Sequence, residues 1–392
     1  MRRSHTTKLW VFALCAGLTA LAPASRAGAQ SPRAPGAVRY EKAPADTLRV
    51  VLLGTAGGPQ AGLDQFGIST LVEAGDDRLL FDCGRGATLR LAQLGVPMAS
   101  VHRLFLTHLH SDHIVQVPDL LVAGWASGRA RPLEVWGPAG TRDMMQAFLR
   151  AFQFDIRLRR DVDEKISGDG INVIDHEVAE GTVLERGGLR VTAFLVGHGP
   201  VAPVFGYRVD FRGRSVVLSG DTRPSDNLVR HAAGVDVLVH SVIDVAPLRA
   251  MGAPEAAIKA IVDHHSTPEQ AADVFSRVKP RLAVYSHANA SPAILEQTKK
   301  GYGGRLQGPE DLLTIDIGSE VTVRRFGPWR RRVPSLPARP HSIQSAGPSR
   351  QRAPVHQVTG PDQVCGGFSR AAPEDQGATT ARTGPSVREA QR

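Results

Sequence analysis

The chain has 392 residues, enough for one large domain or two smaller ones, and its 42% hydrophobic content is ordinary for a globular protein. Its formal charge of +9 resides at the two ends: residues 1–29 hold four basic residues and no acid, residues 328–392 hold ten Arg against four acids, and 30–327 keeps 33 basic against 34 acidic residues. A body this close to neutral makes no electrostatic case for gripping a polyanion, so nucleic acid is not the expected partner. Three Cys also exclude a disulfide-built scaffold.

The first 29 residues read as a secretory signal. Arg2, Arg3 and Lys8 precede the apolar stretch Leu9 to Leu21, and Ala27-Gly28-Ala29 offers a small-x-small cleavage site that would leave Gln30 as the mature N-terminus. That stretch is too short to cross a hydrocarbon core of about 30 Å. Leu14 is bulky where a lipid-anchoring box before Cys15 needs a small residue. An exported protein, periplasmic or secreted and without lasting membrane insertion, is expected. After cleavage only Cys83 and Cys365 remain.

Residues 30–47 are expected to be a flexible lead-in, and 48–327 the folded domain. Leu48 to Gly54 reads as a strand entering the glycine-rich turn Gly54-Thr-Ala-Gly-Gly-Pro59. The turn lacks the lysine of a nucleotide-binding loop; it could approach substrate closely, but its expected task is to bring the first strands together. Ser69 to Glu73 and Arg78 to Cys83 follow as strands about the turn Gly75-Asp-Asp77. Ala87 to Leu94 reads as a helix stopped by Gly95. Val101 to Thr107 is a strand, and Pro138 to about Ala151 a helix opened by its proline.

The second half continues in strands, at Leu189 to Val196, Val204 to Phe211, Ser215 to Ser219 and Val235 to Val239. Thr267-Pro-Glu-Gln270 has the form of a capped helix start, with the helix running to Val278. Leu282 to Tyr285 and Leu312 to Val323 supply the last strands. Beyond Phe326 the Arg, Pro, Gln and Gly content leaves little to bury, so 328–392 is predicted to be a disordered, solvated basic tail. The pattern suggests two packed sheets with outer helices and loops at the strand ends.

Chemistry concentrates in Thr107-His-Leu-His-Ser-Asp-His113, directly after an apolar strand. Burying His108, His110, Asp112 and His113 without a cation would demand a separate partner for nearly every nitrogen and carboxylate oxygen. In an extended loop His108 and His110 can face one ion, while Asp112 and His113 turn toward a neighbour. Imidazole and carboxylate suit Zn2+, though Fe or Mn could occupy such a site.

The motif resembles that of the metallo-β-lactamase superfamily over roughly residues 48–325, which implies an αββα sandwich. It is more similar to the branch holding ribonuclease Z and arylsulfatase-like or phosphodiesterase-like hydrolases than to the lactamases. Asp82, His198 in Val196-Gly-His-Gly-Pro200, Asp221 in Leu218-Ser-Gly-Asp-Thr222 and His287 in Tyr285-Ser-His-Ala-Asn289 match further family positions. The resemblance implies a structural role for Asp82 and two divalent ions: one on His108, His110 and His198, one on Asp112, His113 and His287, with Asp221 bridging. It also implies hydrolysis by a metal-bridging hydroxide, with Asp112 and Asp221 as catalytic ligands. His265 would act beside the ions as a general acid or anion holder, with His264 as the less favoured twin. Relatives of this kind are often homodimers.

Two departures bear on substrate. Ser241 stands where ribonuclease Z commonly has a glutamate after the histidine resembling His240, and the 152–190 stretch is short for that family's basic RNA-gripping arm. These, with export, favour a small anionic ester, an aryl sulfate or phosphodiester, as substrate. The alternatives are a ribonuclease Z-type RNA 3′ endonuclease and a lactonase or β-lactamase. Trp125, Trp136 and Phe205 could line an aromatic recess or belong to the core.

Overall fold

The protein is described from a computed structural model that covers residues 41–59, 64–288 and 291–326. The expected signal segment, most of the lead-in, the basic tail and Cys365 lie outside the described residues.

Six strands follow one another in the first half: β1 (Leu48–Gly54), β2 (Ser69–Ala74), β3 (Asp77–Phe81), β4 (Arg103–Phe105), β5 (Leu133–Gly137) and β6 (Val173–Glu177). The second half brings β7 (Gly181–Arg186), β8 (Leu189–His198), β9 (Val201–Phe211), β10 (Arg214–Leu218), β11 (Val237–Ser241), β12 (Leu282–Ser286) and β13 (Leu306–Gln307). The chain then returns to the first sheet with β14 (Leu313–Ile317) and β15 (Val321–Arg324). The sheet orders are β15-β14-β1-β2-β3-β4-β5-β6 and β13-β12-β11-β10-β9-β8-β7.

Alternation along the strands builds the core between these sheets. Val50, Leu52, Leu79, Phe81 and Phe105 from the first sheet share one buried cluster with Val191, Tyr207, Val209, Val239 and Val284 from the second. Phe81, Phe105 and Trp136 stack across neighbouring strands with ring centroids 4.9 and 4.6 Å apart. The outward residues Val51, Leu53, Leu80 and Leu104 pack under the helices of the first half. These are α1 (Ala87–Leu94), α2 (Ser111–Ile114), α3 (Val117–Ala126), α4 (Thr141–Ala151) and α5 (Gln153–Arg157). The second half carries α6 (Asp226–His231), α7 (Ala246–Ala250), α8 (Glu255–Val262), α9 (Pro268–Val278) and α10 (Pro292–Lys299). Leu228, Val274, Phe275 and Ile294 from α6, α9 and α10 close a third cluster with Val217, Leu238 and Tyr285 of the second sheet. Helix, sheet, sheet, helix: the expected αββα sandwich is the fold.

Two elements differ from expectation for identifiable reasons. The strand expected over 101–107 is only Arg103–Phe105, because Thr107 N donates to the Asp82 carboxylate at 2.9 Å instead of to a neighbouring strand. The helix expected from Pro138 begins at Thr141. Pro138 O accepts from Thr141 N and Oγ1 (3.1 and 2.7 Å), and Gly140 at φ 96° cannot be helical, so the proline belongs to the preceding turn. At α9 the capping box is complete, with Thr267 Oγ1 accepting from Gln270 N and Gln270 Oε1 accepting from Thr267 N. Trp125, Trp136 and Phe205 are all buried core residues.

Candidate metal centre

Strand ends of both sheets meet at one edge of the sandwich. There β3 leads to Asp82, β4 leads into 107–113, β8 ends at His198, β10 leads to Asp221 and β12 leads to His287. Asp82 and His287 both hold left-handed backbone (φ 55° and 50°), a conformation costing about 1–3 kcal/mol that clusters at functional positions.

The seven residues expected to ligate are brought together. His108, His110 and His198 form one set of donors within 4.8 Å of each other, and Asp112, His113 and His287 form a second. Asp221 Oδ2 stands between them, 3.9 Å from His198 Nε2, 3.5 Å from His113 Nε2 and 3.2 Å from His287 Nε2. His108 Nε2 and His110 Nδ1 are 2.9 Å apart, and Asp112 Oδ2 lies 3.2 Å from His287 Nε2. With metal–ligand bonds of about 2.1 Å, neighbouring ligands of a tetrahedral ion sit about 3.4 Å apart. The spacings bracket that value.

The tautomers agree with the same reading. His198 Nδ1 donates to the His264 carbonyl (3.0 Å), and His113 Nδ1 donates to Asp82 Oδ2 (2.8 Å). Each ring therefore presents Nε2 to the centre. His113 Nε2, His198 Nε2 and Asp221 Oδ1 are buried without a hydrogen-bond partner. An unmet buried group costs about 1–3 kcal/mol, so three at one point mark a place built for a cation.

Electrostatics point the same way. Burial opposes ionisation of Asp221, yet the imidazoles of His287, His113 and His108 outweigh it and hold the carboxyl well below the usual range. Asp112 is likewise depressed, with burial overcome by His287 and His113. Burial works against a charged His113, but Asp82 and Asp221 hold its pKa well above the ordinary value. The carboxylates demand positive charge, which a divalent cation would supply. Burial, with His113 adding to it, drives His108 well below its ordinary value and keeps it a neutral ligand.

Asp82 organises this set from behind, taking Thr107 N at 2.9 Å, Thr107 Oγ1 at 2.9 Å and His113 Nδ1 at 2.8 Å. Thr107 Oγ1 also lies 3.0 Å from His108 Nδ1. One carboxylate thus orients two rings.

Of the paired histidines, His265 faces the centre. It forms a donor group with His198 and Asp221, and its ring lies 4.8 Å from that of His198. Burial pushes its pKa down to about 4, so the ring is neutral near pH 7. His264 gives its carbonyl to His198 and packs its ring over Gly199, where a Cβ would come within 2.1 Å.

The glycine-rich turn, expected mainly to join the first strands, comes closer to the site than that task requires. Gly58 N donates to Asp112 Oδ2 at 2.9 Å, and a Cβ at Gly57 would stand 2.7 Å from the His287 ring. The glycine-rich turn therefore closes directly onto the centre. The unusual pair of glycines was its only signal.

A model of the β-lactamase superfamily domain matches residues 77–288. Ribonuclease Z of Mycobacterium marinum is 37% identical over 281 residues, covering 69% of this chain and 99% of that protein. Ribonuclease Z of Mycobacterium sp. strain KMS is 39% identical over 298 residues, covering 71% and 100%. Among solved structures, the human short-form tRNase Z superposes with a TM-score of 0.53 at 22% identity, covering 69% of this chain and 99% of that one. The metallo-β-lactamase fold protein YhfI of Bacillus subtilis gives 0.54 at 18% identity, covering 69% and 100%.

These relatives correct the expectation that nucleic acid is not the partner and that a small anionic ester is preferred. Proteins named for RNA are matched over 99–100% of their length, and that match outweighs the expectation drawn from the short 152–190 stretch. Nor does overall charge decide the matter, since RNA is gripped by local groups and not by a protein's net charge. By fold, by the family model and by relatives at 37–39% identity, the chain belongs to the metallo-β-lactamase superfamily and, within it, to the ribonuclease Z family.

Proposed function

We propose that this chain is a metal-dependent phosphodiesterase acting on RNA, a ribonuclease Z-type endonuclease. The observation that carries the reading is the match to proteins named ribonuclease Z over 99–100% of their length. The donor clusters support the hydrolytic part of it.

His108, His110 and His198 would hold one divalent ion and Asp112, His113 and His287 a second, with Asp221 shared; the N/O donor set favours Zn2+. Such ions supply Lewis acidity toward water and toward the phosphoryl oxygens. The protein's own contribution is orientation. Asp82 and Thr107 fix the His108 and His113 rings, the His264 carbonyl fixes His198, and Gly58 N steadies Asp112. His265, neutral in the free protein, can donate a ring N–H to a substrate oxygen; protonating a leaving oxygen requires it first to gain a proton beside the anionic phosphate.

The test offers metal-loaded protein an RNA with a 3′ extension, bis(4-nitrophenyl) phosphate and 4-nitrophenyl sulfate, with metal content measured in parallel. Cleavage of RNA and of the diester is expected, with up to two ions per chain, and Asp221→Ala should lose most turnover. Sulfate hydrolysis without RNA cleavage would sink the reading.

A further inference from the structure

Beside the centre lies an open cavity of about 520 Å3 whose lining includes Gly199, Arg223, Asp263, His264, His265 and Gln270. His265 belongs to both, so the cavity continues the metal site along the surface. Arg223 follows Asp221 by two residues, and its loop is fixed on several sides. Arg223 N donates to Gly197 O (2.8 Å), Thr222 N to Ser241 Oγ (3.3 Å), and Ser266 Oγ to Thr222 O (2.9 Å). The Arg223 side chain crosses Gly197, where a Cβ would approach its Nε to 3.0 Å, so glycine there gives the guanidinium its path.

Arginines elsewhere in the described body are commonly spent on carboxylates, as Arg49 is on Asp316 and Arg277 on Asp226. Arg223 is exposed; Thr222 Oγ1 donates to its carbonyl (2.6 Å), and among the described residues no ion pair or hydrogen bond engages its guanidinium. The one acid lining the cavity, Asp263, is paired with Lys259 Nζ at 2.6 Å. The cavity therefore presents a free planar cation beside the metal site. A guanidinium matches phosphate oxygens in a two-pronged contact.

We propose that Arg223 is a specificity-determining residue that binds a backbone phosphate of the RNA adjacent to the one being cleaved, seated in this cavity. The assignment rests on the RNA reading above and deepens it. It makes the protein prefer a polynucleotide over a diester with a single phosphate, although the body as a whole is near neutral.

Arg223→Ala and Arg223→Lys are compared with the unmodified protein on two substrates, RNA with a 3′ extension and bis(4-nitrophenyl) phosphate, and in RNA binding across a salt series. The ratio of kcat/KM on RNA to that on the small diester should fall roughly 10- to 100-fold in Arg223→Ala, mainly through KM, with partial recovery in Arg223→Lys. The slope of log affinity against log salt should shrink by about 0.7, the value for one phosphate contact on a single strand. Unmodified protein that cleaves RNA while the variants keep both ratio and slope overturns this assignment alone. Equal losses on both substrates would place Arg223 on the reacting phosphate and overturn it too. Unmodified protein that hydrolyses the diester but neither binds nor cleaves RNA brings down the RNA reading and this one together.

Discussion

At the scale of single residues, the centre depends on groups that stand behind its ligands. Asp82 is buried, accepts three hydrogen bonds and fixes which nitrogen His113 offers. Asp82→Asn keeps the shape but replaces one acceptor oxygen with a donor, so His113 or Thr107 must lose its partner. Losses of this kind cost about 10- to 100-fold in metal affinity. Competition with a chromogenic chelator measures it, and an affinity equal to that of the unmodified protein would remove Asp82 from this role. His240 allows a pH argument clear of the ligands. Burial against Phe275 pushes its pKa down to about 4, whereas the unfolded chain holds an ordinary value near 6.5. The neutral ring is the native form, so its contribution to stability is present above about pH 6.5 and is lost as pH falls toward 4. One proton over this window corresponds to roughly 3 kcal/mol. Metal-free protein unfolded in urea at pH 7 and pH 4.5 should show a larger loss than His240→Gln; equal losses would mean that His240 does not titrate this way.

At the scale of elements, the same strand ends carry both fold and site, which explains what could be read in advance. The 107–113 cluster was legible because its donors are contiguous and follow an apolar strand. The α9 start was legible because a capping box is a local code. The strands β5, β6 and β7 escaped notice. β6 and β7 are half-exposed sheet edges whose charged residues blur the alternation, and β5, Leu133–Gly137, is short and buried on nearly every residue. The contact of the glycine-rich turn with a ligand was illegible for another reason, since Gly58 meets Asp112 across 54 residues of chain and no local pattern reports it. Its consequence can be measured. In Gly57→Ala the new methyl would press on the His287 ring, displacing the ligand or the turn. We expect at least about tenfold weaker retention of the ion nearer Asp112 and His113, by analogy with other losses of support around a ligand. Metal content after dialysis against a weak chelator checks this, and two ions retained as in the unmodified protein would show that the turn yields freely.

At the scale of the whole molecule, the proposed action on RNA makes the distribution of charge a testable matter. Residues 30–327 are near neutral, while 328–392 hold ten Arg and four acids. Long-range attraction to a polyanion scales with the cations that displace its counterions, so the basic end and a local group such as Arg223 would supply different parts of it. On the RNA reading the ten Arg of 328–392 should speed and strengthen encounter with any RNA, whereas Arg223 would act at one place beside the centre. Removing 328–392 should therefore weaken RNA binding at low salt, flatten its salt dependence and leave turnover of bis(4-nitrophenyl) phosphate as it was, because that substrate presents one phosphate to the centre alone. At high salt the shortened and full-length chains should converge, since screening removes the contribution of exposed charges beyond about 3–10 Å. Identical salt slopes for the two chains would assign all of the electrostatic grip to the sandwich, and a loss of diester turnover would show that the basic end supports the centre itself.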